Sequence, residues 1–95
     1  MTNEEKQEAG IWLLSMDIFK RSYKIEVARL ASDYDTEKLL KKAMLNQYGK
    51  GGRLTVAKRI ATDGAKRTIK AKGDNAKEAQ IKLTVDRIAK ALFAN

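Results

Sequence analysis

The chain runs for 95 residues without a single proline. Proline lacks an amide donor and its ring clashes with the preceding helical turn, so it is the strongest helix breaker. A chain without it is free to build long helices, and the punctuation falls to glycine. Gly49, Gly51, Gly52 and Gly73 sit between periodic segments and mark the breaks. A chain of this length builds one hydrophobic core, so residues 1–95 are read as one domain.

Thr2 and Glu5 have the S/T-x-x-E spacing of a capping box, which predicts a helix from about residue 3 to about residue 31. On a helical wheel Ile11, Leu14, Ile18 and Ile25 form one apolar stripe, and Trp12, Phe19, Tyr23 and Leu30 form a second. A helix with two such stripes needs cover on two sides. It is either central or part of a dimer seam, for which Ile11, Trp12, Leu14, Ile18 and Phe19 are the candidate residues. Asp35 or Thr36 is expected to cap a second helix, with Leu40, Met44 and Tyr48 on one face and Gly49 as its stop. Gly73-Asp74-Asn75 opens the last helix, Ala76 to Phe93, whose stripe of Ile81, Val85, Ile88 and Leu92 reads as core. Burying those four side chains is worth roughly 6–12 kcal/mol before entropy.

Residues 53–72 admit two readings. Arg53–Thr62 and Ala65–Lys72 flank Asp63-Gly64, a dipeptide typical of two-residue hairpin turns. In that register Leu54, Val56 and Ile60 share a face with Ile69 and Ala71, while Arg59, Lys66, Lys70 and Lys72 lie opposite. The expected class is therefore α+β and mainly helical: two N-terminal helices, a short basic β-hairpin and a C-terminal helix. The alternative is an all-α chain with a helix-turn-helix-like segment at 53–72.

Charge divides the chain in two. Residues 1–48 carry eight basic and eight acidic side chains and are neutral, whereas residues 49–95 carry twelve basic against four acidic and hold the whole net charge of +8. Five of the six aromatic residues lie in the first half. The first half thus reads as a scaffold, residues 49–52 as a glycine joint, and residues 53–95 as the contact half. Between Lys50 and Lys72, eight cations face one acid: Lys50, Arg53, Lys58, Arg59, Lys66, Arg67, Lys70 and Lys72 against Asp63. Lys77 extends the set. Phosphate backbones attract such a segment through Coulomb force and counterion release. It holds no aromatic side chain for stacking on unpaired bases, which favours a duplex.

The hairpin together with Gly73-Asp74-Asn75-Ala76-Lys77-Glu78-Ala79 resembles the closing strands and helix of double-stranded-RNA-binding domains. It is also similar in outline to the arm-binding domains of tyrosine recombinases. The resemblance spans at most residues 53–93. In the RNA-binding family lysines open the helix; here Lys77 stands in such a place, whereas Ala76 and Gln80 occupy neighbouring positions.

Several chemistries lack their side chains. Without cysteine or histidine there is no zinc finger, iron–sulfur cluster, disulfide or thiol nucleophile. No phosphate loop or nucleophile elbow is spelled out either. The longest apolar run, Ile11 to Leu14, is far below the ~20 residues of a membrane span, and the acidic start, Glu4, Glu5 and Glu8, is unlike a signal peptide. The sequence thus predicts a cytoplasmic, non-enzymatic protein without cofactor or metal. Its expected role is to bind nucleic acid in a regulatory capacity, with a homodimer as a candidate assembly. The competing reading is an adaptor or inhibitor that grips an acidic protein surface.

Overall fold

A computed structural model describes residues 2–93 and shows four helices, with no strand among those residues. They are α1 (Asn3–Leu30), α2 (Tyr34–Tyr48), α3 (Gly52–Lys70) and α4 (Asp74–Phe93). The N-cap half of the expected capping box forms, with the Thr2 hydroxyl accepting from the Glu5 amide at 3.1 Å and donating to the Glu5 carboxylate at 3.3 Å. α1 ends in a Schellman motif. Ser32, at φ 56, lets the Ser32 amide reach the Arg29 carbonyl and the Asp33 amide reach the Ala28 carbonyl. The cap of α2 is Asp33, whose carboxylate accepts from the Thr36 amide at 3.2 Å, and not Asp35 or Thr36.

α1 is the central helix and packs against α2, α3 and α4. Ile18 and Phe19 are buried, and Ser15 and Ser22 share their face. Met44 anchors α2, with Tyr48 packed beside the core, and Val85 and Ile88 anchor α4, with Ile81 and Leu92 at the margin. The inward residues of α1, α2 and α4 thus meet in one core, whereas Trp12 and Leu30 of the second stripe expected on α1 stay exposed.

The expected β-hairpin is overturned. Arg53–Lys72 does not form two strands; Gly52–Lys70 is one continuous helix of 19 residues, with Asp63-Gly64 in its interior, so the class is all-α and not α+β. The buried residues of α3 are Ala57, Ala61, Gly64, Ala65 and Thr68, a stripe at helical spacing. With the hairpin gone, the resemblance to double-stranded-RNA-binding and arm-binding domains loses the strands on which it rested.

Gly64 has a tertiary reason to be glycine. A Cβ placed there would lie 2.7 Å from Thr84 Cβ, with Thr84 Oγ1 and Cγ2 closer still. The backbone of α3 therefore touches the side chain of α4 with no room for a methyl group. Thr68 and Thr84 each turn their hydroxyl onto the carbonyl one turn back in their own helix, Gly64 and Gln80, both at 2.7 Å, so neither hydroxyl is orphaned in the contact.

A polar tie fixes α2. The Tyr48 hydroxyl donates to Asp17, which also accepts from Arg21 Nε at 2.8 Å, and the Arg21 guanidinium lies 6.0 Å from the centre of the Tyr48 ring. The Tyr48 hydroxyl, and after it Arg21, hold the Asp17 carboxyl below its ordinary value against the opposing effect of burial. Burial, followed by the bond to Asp17, pushes Tyr48 from 10.0 up to about 12.

Two expectations follow. Gly64→Ala overpacks the α3–α4 contact and costs about 1–3 kcal/mol in urea unfolding despite the better helix propensity of alanine. The cost shrinks in a Thr84→Ala background, and an additive double-mutant cycle would remove the close-contact explanation. For Tyr48, a pKa raised on folding means that its contribution is intact below pH 10 and is lost as pH rises toward about 12. Stability of the wild type should fall more steeply over that window than that of Tyr48→Phe, and parallel profiles would contradict the assignment.

Candidate nucleic-acid interface

On α3 the buried alanine stripe defines the inner face, and the opposite face carries Arg59, Lys66 and Lys70. At 100° per residue these three fall within an arc of about 40°, and the first and last are ~16 Å apart along the helix. All three side chains are exposed. Thr55 and Thr62 flank this arc on one side and Asp63 on the other. No ion pair among the described residues involves any residue between Lys50 and Lys72.

The remaining sequence-predicted cations lie elsewhere. Lys50 is exposed in the α2–α3 connection, and Lys72 is exposed just beyond α3. Arg67 is exposed about 80° round the helix from the centre of the triad, and Arg53 lies further round.

Three of the cations have carbonyl partners. Lys58 Nζ donates to the Gly49 carbonyl at 3.0 Å, just past the end of α2. Lys77 Nζ donates to Thr68 and Ile69 at 3.0 and 3.3 Å, in the last turn of α3. Arg53 Nη1 donates to Leu92 at 3.3 Å, in the last turn of α4. Each places a positive charge where a helix leaves its final carbonyls unpaired and its dipole is negative. These three are built into the scaffold, and the sequence carries no signal for it because each partner belongs to a different helix or its end.

Lys66 also borders a groove of about 510 Å³ between α1, α2 and α3, together with Arg29, Lys41 and Lys58. Its two carboxylates are already occupied: Glu26 pairs with Arg29 at 2.7 Å and Glu37 with Lys41 at 3.1 Å. The groove therefore adds no free negative charge beside the α3 face.

Of the residues expected at an oligomer seam, Ile18 and Phe19 are buried within the single chain, and Ile11 and Leu14 are half-buried. Trp12 is exposed.

The split between scaffold and contact cations is open to measurement. Lys77→Met should lower unfolding free energy by about 0.5–1.5 kcal/mol, the usual worth of such hydrogen bonds, whereas Lys70→Met should change it by less than half as much. Equal losses would mean that Lys77 is no more structural than its exposed neighbours. No protein-family model matches the chain, and neither a curated protein nor a solved structure matches it.

Proposed function

We propose that the protein binds the phosphate backbone of double-stranded nucleic acid through the outward face of α3, without catalysis. The observation that carries this reading is the alignment of Arg59, Lys66 and Lys70 along one exposed helical face, none of them in an ion pair among the described residues. Long flexible cations in a row neutralise successive phosphates and release condensed counterions, an attraction that needs no base contact. Thr55 and Thr62 supply neutral hydroxyl donors beside the row, and Lys50 and Lys72 extend the positive potential past both ends of the helix. The face carries no aromatic side chain, which favours a stacked duplex over unpaired bases. Arg67 strengthens the field without joining the row.

Fluorescence anisotropy with a random-sequence duplex tests the proposal. With about three to five phosphate contacts, affinity should fall by roughly 40- to 500-fold between about 50 and 200 mM salt. Joint replacement of Arg59, Lys66 and Lys70 by glutamate should abolish binding while leaving the helical circular-dichroism signal and the urea midpoint unchanged. Binding that ignores salt, or that survives the triple replacement, contradicts this reading.

A further inference from the structure

α1 is covered on three sides, and its fourth side is open. Along that side run Leu13, Met16, Lys20, Tyr23, Val27 and Leu30, spaced alternately three and four residues apart. This is the a/d pattern of a coiled-coil seam. It shares Tyr23 and Leu30 with the second expected stripe of α1, and Met16 and Tyr23 touch the margin of the core with their inner edges. Leu13 is 69 %, Val27 45 % and Leu30 57 % exposed, so the seam is not consumed by the chain's own core. Grooves flank it on both sides, one lined by Met16 and Tyr23 with Ile81 of α4, the other by Tyr23 and Val27 with Leu40 of α2.

We infer that this face of α1 receives the same face of a second copy of the chain, packed antiparallel about a two-fold axis between Lys20 and Tyr23. The register is self-complementary: Leu13 meets the partner's Leu30, Met16 the partner's Val27, and Lys20 the partner's Tyr23. Each contact occurs twice, as an isologous interface requires. The one charged residue in the seam decides the orientation. A parallel, in-register pair would set Lys20 against the partner's Lys20, two like charges in an apolar strip. The antiparallel pair sets it on the partner's Tyr23, a cation over an aromatic face. The Tyr23 ring is already steadied by Phe19, with centroids 6.0 Å apart.

Charge at the margin agrees with that orientation. Asp17 and Lys24 follow Met16 and Tyr23 by one residue and so occupy the same flank of the seam. Antiparallel pairing brings Asp17 to the partner's Lys24 and Lys24 to the partner's Asp17. Asp17 accepts from Arg21 and Tyr48 through Oδ2, and its Oδ1 accepts no hydrogen bond from the described residues. Lys24 is exposed and joins no ion pair among them. The inference does not depend on nucleic-acid binding.

Because the protein lacks cysteine, single substitutions report the orientation. Leu13→Cys and Leu30→Cys chains are prepared separately and oxidised alone and as a mixture. Sedimentation equilibrium of the wild type should give the mass of two chains, and disulfide-linked dimers should form in high yield only in the mixture. Val27→Asp, at an exposed position, should weaken dimerisation about tenfold or more with unchanged helicity. A monomer at every concentration, cross-linking of either chain with itself in preference to the mixture, or a Val27→Asp protein that dimerises like the wild type would each overturn the inference.

Discussion

The arrangement depends on how closely α3 approaches α4. Gly64 and Thr84 meet with no space for a methyl group, and the alanines at 57, 61 and 65 keep the rest of that face low. A helix with a small-residue face lies deep against its neighbours, which lets Ser15, Ser22 and Ile18 of α1 and Val85 and Ile88 of α4 close around it. Once α3 is sunk in this way, its orientation about its own axis is set. The residues opposite the alanines have no alternative but to face outward, and those residues are Arg59, Lys66 and Lys70. The packing constraint and the charged face are two consequences of one rotation.

The cations of this chain fall into groups that composition alone does not separate. Some cations close helices: Lys58, Lys77 and Arg53 each reach a carbonyl at or just beyond a helix C-terminus, where the backbone presents unpaired acceptors. Arg59, Lys66 and Lys70 have no such partner and join no ion pair among the described residues, with Asp63 at the edge of their row. A domain this small has little free energy to spare for uncompensated like charges. Arg59, Lys66 and Lys70 nevertheless stand in one row, which is why that row is proposed as a contact surface.

Much of the fold was legible in the sequence because three helices carry their own signals. The Thr2–Glu5 box, the Leu40–Met44–Tyr48 spacing and the Ile81–Val85–Ile88–Leu92 stripe are local patterns whose partners lie within a few turns. α3 was misread because Asp63-Gly64 is a turn signal only when strands flank it. The competing signal, alanine at 57, 61 and 65, was weak, since alanine contributes little hydrophobicity to a stripe. The reason for Gly64 lies at Thr84, twenty positions away, and no local rule could supply it. Part of the candidate interface was nevertheless visible: Arg59, Lys66 and Lys70 share a face whether the segment is a hairpin or a helix. The carbonyl partners of Lys58 and Lys77 were not visible, because each spans two helices. The spacing of Leu13, Met16, Tyr23 and Val27 was present in the sequence as well. It was hidden because α1 carries apolar residues round most of its surface, and only the packing shows which of them remain uncovered.

The proposed contact between the outward face of α3 and a nucleic-acid duplex, with the rest of the molecule holding that face in place, is open to a direct test. Titration of the isotope-labelled protein with a short duplex, followed by amide chemical-shift mapping, addresses it residue by residue. The account predicts shifts concentrated on α3 around Arg59, Lys66 and Lys70, with the buried amides of α4 near Val85 and Ile88 unmoved. Shifts centred on α1 or α2, or an unchanged spectrum at low salt, would contradict it.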